Sequence, residues 1–303
     1  MLQCQNLDNL CIEGISKMKL FILCFLALLI SPLSFSASPQ LWAMDVGRQW
    51  GGSNRSYAIS LDPFYIEQAA YPLHGLPLLW DAAYIPSKNM LFVSGGTLNP
   101  NWYSSGIAIY KGGPENLEFI SLSNIGMENC HWLAGIEFIN DNLYGIAQTG
   151  EYLQQNIFVR IDRPGTSEQT VVQIGPNLGS WRDIGTPFAL CKDGHGNLLG
   201  AFGADGYQKI YQIDPSTGDS VLLHIYDRNY FFQPIEGMTL RDNKLYALTT
   251  NTDLYEIDLE DFSATKITNL GGNIWTALVA VPEPSMVLCF AFGILLFFRR
   301  RYK

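Results

Sequence analysis

Five segments of this chain share an apolar strand pattern followed by a turn, and they return at one period. They are Leu41-Trp42-Ala43-Met44, Met90-Leu91-Phe92-Val93, Leu143-Tyr144-Gly145-Ile146, Leu198-Leu199-Gly200-Ala201 and Leu245-Tyr246-Ala247-Leu248, with starts 49, 53, 55 and 47 residues apart. A second series runs Tyr57 to Asp62, Ile107 to Lys111, Phe158 to Asp162, Ile210 to Asp214 and Leu254 to Asp258, and its ends are spaced by 49, 51, 52 and 44 residues. Two independent anchors holding one period mark a repeat architecture, in which each unit buries its apolar face against the next.

Each unit has the grammar of a four-stranded antiparallel sheet. In the fourth, an inner strand near Phe188 to Lys192 meets the turn Asp193-Gly194-His195-Gly196-Asn197, and a second strand runs from Leu198 to Phe202. A third spans Lys209 to Ile213, and the turn Asp214 to Asp219 leads to an outer strand from Ser220 to Tyr226. These are short β-branched and aromatic runs punctuated by Gly, Pro, Asn and Asp, without a sustained 3.6-residue apolar period, so few helices are expected. Even spacing of such strands predicts an all-β fold, a β-propeller of five four-stranded blades over residues 39–280. A count of six or seven follows if the strands around Tyr65 to Leu79 or Trp102 divide differently. The first unit begins with its second strand at Leu41 and lacks an inner one. Trp275-Thr276-Ala277-Leu278-Val279-Ala280 follows the fifth unit where an inner strand belongs, so the first blade is predicted to take one C-terminal strand and three N-terminal ones. That pairing removes two sheet edges and ties the ring shut.

Both ends of the chain read as addresses. Lys19, the apolar run Leu20 to Ile30 and the small residues Ser34 to Ser38 make residues 18–36 a secretory signal peptide, with Met18 the expected start and residues 1–17 an extension outside the fold. Residues 281–303 combine Pro282-Glu283-Pro284, an apolar run from Met286 to Phe298 and the basic cluster Arg299-Arg300-Arg301 with Lys303. As a helix that run spans about 20 Å, short for a hydrocarbon core of about 30 Å. The arginines would face the cytoplasm, leaving the domain on the far side of the inner membrane. This order resembles the PEP-CTERM sorting tail of bacterial surface proteins. The resemblance implies an inner-membrane-tethered precursor, cleavage near Pro282, Glu283 and Pro284 by an exosortase, and delivery to the cell surface or exopolysaccharide matrix of a Gram-negative-type bacterium. The alternative is an ordinary C-terminal anchor that is never cut.

Between Pro39 and Pro284 there are 13 Lys and Arg against 26 Asp and Glu, a net charge of −13. A body this acidic without a basic stripe repels phosphate backbones, so nucleic acid is excluded as a partner class. Of six cysteines, Cys4, Cys11, Cys24 and Cys289 fall in the terminal segments. Cys130 and Cys191 remain, at different points of the repeat, and two buried thiols are expected rather than one disulfide.

The search for chemistry finds no zinc helix, nucleophile elbow, phosphate loop or paired Cys-x-x-Cys. With the repeats in register, the position nine before each anchor is Asp81, Ala134, Ala189 and Glu236, with Thr276 from the closing strand. Asp81 and Glu236 thus form the candidate catalytic pair near one channel mouth, able to hold a cation or act as acid and base. Solvated residues lining a wet channel are the plainer reading. Glu137 and Asp183 lie near the same rim. His131 suits packing at a blade junction. The oxygen-rich turn around His195 hints at calcium, but no bidentate Glu follows it, so no cofactor is called for. Trp50, Trp102, Tyr103, Trp181, Tyr230, Phe231 and Phe232 fall in loops where rings can stack on sugars or wedge between blades.

Three function classes follow, in order. The first is a non-catalytic surface or matrix propeller binding glycans or proteins, with exosortase and the secretion machinery as processing partners. An exported polysaccharide hydrolase or lyase, or a metal-dependent lactonase, is second and rests on Asp81 and Glu236. A passive envelope module is third. The propeller fold alone hosts all of them.

Overall fold

The computed structural model describes residues 40–45, 55–61, 64–72, 78–85, 88, 90–99, 102–111, 117–122, 126–127, 130–149, 155–180, 182–204, 206–227, 234–271 and 275–281. Gln40–Val281 is one compact unit. Residues 1–17, the expected signal segment 18–36 and residues 282–303 lie outside the described residues, as does the apolar run from Met286 to Phe298. Among the described residues no helix is long and apolar enough to cross a membrane.

Among the described residues twenty strands, numbered in chain order, form five four-stranded antiparallel sheets. Blade 1 orders β20 (Trp275–Val281), β1 (Gln40–Asp45), β2 (Arg55–Leu61) and β3 (Phe64–Pro72) from the centre outward. Blade 2 is β4 (Leu78–Ile85), β5 (Met90–Asn99), β6 (Trp102–Lys111) and β7 (Leu117–Ser121). Blade 3 is β8 (Cys130–Ile139), β9 (Asn142–Thr149), β10 (Gln155–Asp162) and β11 (Thr170–Gln173). Blade 4 is β12 (Thr186–Lys192), β13 (Leu198–Ala204), β14 (Tyr207–Ile213) and β15 (Ser220–Tyr226). Blade 5 is β16 (Ile235–Arg241), β17 (Lys244–Thr249), β18 (Asp253–Ile257) and β19 (Ala264–Asn269). Inner strands β4, β8, β12, β16 and β20 touch in that cyclic order, β20 returning to β4. The unit Gln40–Val281 is a closed β-propeller.

Closure has the predicted form. β20 pairs antiparallel with β1, with Leu41 opposite Ala280, Trp42 opposite Val279 and Ala43 opposite Leu278. The anchor repeats are the second strands of their blades and the second series the third strands. In blade 4, β12 and β14 begin two residues before the expected Phe188 and Lys209, and β13 runs on to Ala204, because Thr186 pairs with Gly203 and Tyr207 with Ala204.

Local chemistry explains two tight hairpins. Asn140-Asp141 and Asp242-Asn243 connect the first two strands of blades 3 and 5, and all four residues have positive φ (48°, 65°, 50° and 62°). Asn and Asp tolerate that region best after Gly, and paired positive φ matches the twist of a two-residue hairpin.

Five buried clusters hold the ring, one at each junction. Between blades 2 and 3, Phe92 meets Phe138 edge-on at 4.8 Å, with Ile107, Leu133 and Leu143 around them. Between blades 3 and 4, Tyr144 stacks on Phe158 at 5.6 Å beside Leu190 and Phe202. Met238 and Ile210 join blades 5 and 4, Leu248 and Ile59 join blades 5 and 1, and Met44 and Tyr110 join blades 1 and 2. Every blade therefore buries both faces, which is why its central strands read as continuous apolar runs rather than alternating ones.

Candidate functional site

The inner strands approach closely because small residues sit where they meet. A Cβ on Gly135 (φ 69°) would lie 3.2 Å from Cβ of Leu190, and one on Gly237 would lie 2.5 Å from the amide nitrogen of Leu278. Glycine at these two places lets β8 press on β12 and β16 on β20. The centre of the ring is thus tightly lined, and one acidic side chain reaches across it.

Asp81, on β4, is fully buried. Its Oδ2 accepts hydrogen bonds from the backbone N–H of Ile136 (2.8 Å) on β8 and of Leu190 (3.2 Å) on β12. Ser94 Oγ lies 3.1 Å from the Asp81 amide and 3.2 Å from its carbonyl, fixing the backbone at that point. One carboxyl oxygen therefore joins three blades through amides that face the ring centre, where no sheet partner is available. Oδ1 has no hydrogen-bond partner. Burial pushes the Asp81 carboxyl well above the ordinary carboxylate range, against the lowering effect of the Ile136, Ala82 and Leu190 N–H groups, and the Glu137 charge pushes it further. Burial thus favours the neutral form of this carboxyl against the donors on Oδ2.

Glu137, near the end of β8, is the acidic neighbour of Asp81. Its Oε1 accepts from the Phe138 N–H (2.7 Å) and its Oε2 from the Lys192 N–H (3.3 Å). Burial raises its pKa, opposed by the Lys192 charge and these amides. Cys191, buried on β12, has its thiol pushed well up by burial and then by the charges of Glu137 and Asp81. Sequence reasoning expected Cys191 to be a buried free thiol rather than half of a disulfide, and did not connect it with the channel acids. Its place on an inner strand, beside Leu190, was the available signal that it belongs with the channel acids. Both Cys130 and Cys191 are free.

Glu236 is not the counterpart of Asp81. Asp81 sits in an ordinary rung opposite Ser94, and the bulge of its strand falls at Trp80. In β16 the rungs are Ile235 to Thr249 and Gly237 to Leu248, so Glu236 is itself the bulge residue. Counting nine residues back misses this one-residue offset, and one residue along a strand turns a side chain to the opposite face. Glu236 instead accepts from Thr250 Oγ1 at 2.8 Å. The two residues of the expected catalytic pair thus hold different repeat positions and different partners: Asp81 accepts from two backbone amides and Glu236 from a threonine.

Burial raises the Glu236 pKa from 4.5 to about 7, with Thr250 opposing. A folded-state value above the unfolded one stabilises fully below about pH 4.5, and that stabilisation is lost as pH rises through about 7. The whole span is worth about 3 kcal/mol. Glu236→Gln is therefore expected to unfold at higher urea than wild type near pH 8 and to lose the slope of stability between the two pKa values. Urea titrations across that range measure it, and parallel curves for the two proteins would refute the assignment.

The remaining candidates are structural or lie outside the described residues. In the His195 turn, Asp193 Oδ1 accepts from the His195 (2.7 Å) and Asn197 (2.8 Å) amides, and Oδ2 from Asn197 Nδ2 (2.9 Å) and Gln212 Nε2 (3.2 Å). Burial raises the Asp193 pKa, but these donors outweigh it and hold the carboxylate below its usual range. Its oxygens close the turn. Among the described residues no three His, Cys, Asp or Glu side chains converge on a metal position. Asp183 is exposed and accepts from Ser180 Oγ at 2.6 Å. The side chains of His131, Thr276, Trp102 and Tyr103, and residues Trp50, Trp181, Tyr230, Phe231 and Phe232, lie outside the described residues.

No family model and no curated protein matches this chain. Among solved structures it is similar to a protein of unknown function from Bacteroides thetaiotaomicron, at 15% identity and a TM-score of 0.47, over 83% of this chain and 63% of that one. The chain thus spans less than two thirds of that relative. A "putative gluconolactonase" is similar at 13% identity and a TM-score of 0.47, over 80% of this chain and 82% of its own. A luciferin-regenerating enzyme follows at 11% identity and a TM-score of 0.42, over 82% and 80%. The propeller assignment rests on the sheets and junctions described above, and no activity is carried over from these proteins.

Proposed function

We propose that this chain is an exported, non-catalytic binding propeller, displayed at the bacterial surface or in the exopolysaccharide matrix after an exosortase cuts its C-terminal tail. The observation that carries the reading is the junction between fold and motif. β20, whose pairing with β1 closes the ring, ends at Val281, and Pro282-Glu283-Pro284 starts at the next residue. Both prolines lack an N–H and disfavour helix, which suits a protease that reads an extended segment. Cleavage within or after the motif leaves every rung of β20 in place.

The binding half of the reading is supported by what the channel acids do. Asp81, the most buried of them, spends its accepting oxygen on Ile136 and Leu190, which argues for a scaffold at the ring centre and recognition elsewhere on the body. Surface glycans and matrix proteins are the proposed ligands.

The test is the mass of the exported protein. In a host with an exosortase, the recovered chain is expected to end near Pro282 and to lack Met286 to Lys303, while Glu283→Ala accumulates uncut in the membrane fraction. Recovery of the exported wild-type protein with residues 286–303 still attached, in cells whose exosortase processes a control substrate, would overturn the proposal.

A further inference from the structure

The connection from blade 2 into blade 3 and the sheet of blade 3 border a recess of about 330 Å³. Its inner wall is apolar. Met127 and Val159 are buried there, while Cys130, Ile157 and Val171 are half-buried and continue the junction core of blades 2 and 3. β11 pairs with β10 only from Val159 onward, so Ile157 has no rung of β11 beside it. On the side of the connection, Gly126 at φ 80° has open space where a side chain would stand. That side is pinned by the Met127 N–H on the Leu122 carbonyl and the Cys130 N–H on the Met127 carbonyl, each at 3.0 Å.

Two polar side chains stand in the lining. Thr149 opposes Cys130 across one rung, and Gln173 opposes Val159 across another. Gln173 spends its Nε2 on the Gly175 carbonyl (3.3 Å) and on Asn177 Oδ1 (3.1 Å). Among the described residues neither its Oε1 nor Thr149 Oγ1 has a hydrogen-bond partner. No Asp, Glu, Lys or Arg belongs to the lining. Burial pushes the Cys130 thiol up to about 12, against its bond to the Trp132 carbonyl at 3.1 Å, so the sulfur is also uncharged near neutral pH.

We propose that this recess binds a small uncharged molecule with an apolar body and a hydroxyl group. The body lies against Ile157, Val171 and Cys130, and the hydroxyl donates to Gln173 Oε1 and accepts from Thr149 Oγ1. Size limits the ligand to one small molecule, since ligand sites span about 300–1,000 Å³ and this recess is at the lower end. Charge limits it further, because an ion would give up hydration with no counter-charge in the lining. Water suits the site poorly, as an ordered water needs about two to four polar partners and most of the wall offers none. The site goes beyond display at the surface and stands whether or not the tail is cut.

Calorimetric titration of the full chain with phenethyl alcohol tests this, with phenethylamine and phenylacetate as charged counterparts of the same shape. The alcohol is expected to bind at least about tenfold more tightly than either ion. Val171→Trp fills the recess from β11 and abolishes binding, while Val172→Trp, on the opposite and exposed face of that strand, leaves it as in wild type. Gln173→Leu weakens it about three- to tenfold. A further measurement needs no variant: alkylation of Cys130 by N-ethylmaleimide, followed by peptide mass, slows about tenfold once the alcohol is at about ten times its Kd. No binding of the alcohol overturns the proposal, as do equal affinities for the ions or binding that survives Val171→Trp. Loss of binding with Val172→Trp as well, or alkylation of Cys130 that ignores the alcohol, overturns it too.

Discussion

A chain ending at Gly272 is expected to lose cooperative unfolding altogether, while one ending at Pro284 melts as the full chain does. β20 supplies the inner strand of blade 1, pairs with β1 from Gln40 to Asp45 and contacts β4 and β16 on either side. Ala277, Leu278 and Val279 are buried in two different junctions, those of blade 1 with blades 2 and 5. Burying one Leu or Val is worth about 1.5–3 kcal/mol, and a net hydrogen bond about 1 kcal/mol. Removing this strand deletes two such side chains and a full ladder, and it leaves Leu41, Ala43 and Met44 uncovered. That loss is comparable to the whole stability of a domain, about 5–15 kcal/mol. Far-UV circular dichroism through a thermal ramp reads the outcome. A sharp transition in the shorter chain would mean that the remaining sheets hold a ring without β20.

Asp81→Ala is expected to destabilise by about 2–6 kcal/mol, because the Ile136 and Leu190 amides each lose their acceptor where water does not reach, at about 1–3 kcal/mol per group. Asp81→Asn keeps a carbonyl oxygen at that place and should fall within about 1 kcal/mol of wild type. The two substitutions separate an anchoring acceptor from a needed charge. Since the folded-state pKa of Asp81 is raised, its stabilising contribution is full below the unfolded value and is lost as pH rises through the folded one. The Asn variant lacks that dependence, so the balance shifts in its favour with rising pH. Urea unfolding of the three proteins near pH 5 and near pH 8 measures both effects. Equal stability of the Ala and Asn variants would show that the Oδ2 hydrogen bonds contribute little.

The propeller was legible because its signal is redundant. The anchors at Met90, Leu143, Leu198 and Leu245 and the second series at Lys111, Asp162, Asp214 and Asp258 report different strands of each blade, and both keep the period. The missing inner strand before Leu41 and the unpaired strand at Trp275 then determine closure by simple complementarity. The site was less legible. Asp81 could be singled out as a charge on an inner strand, but its partners are backbone amides of Ile136 and Leu190, and an amide leaves no mark in sequence. The repeat equivalence of Asp81 and Glu236 was misjudged for a related reason: bulges at Trp80 and Glu236 shift the count by one residue, and residue spacing does not reveal a bulge. The recess in blade 3 was not legible at all, because it lies where the pairing of β11 with β10 stops at Val159, and residue spacing does not show how far two strands pair.

Because Gln40 and Val281 face each other across a rung of β1 and β20, the two ends of the folded unit are neighbours in one sheet. A short bridge between them would turn the chain into a covalent circle, and any of the hairpins, such as Asn140-Asp141 or Asp242-Asn243, could then be opened to give new termini. Topologically the ring has no privileged first blade. The seam lies where the strand before the tail meets β1, and a circularly permuted version would move that seam to another blade while keeping the five junctions.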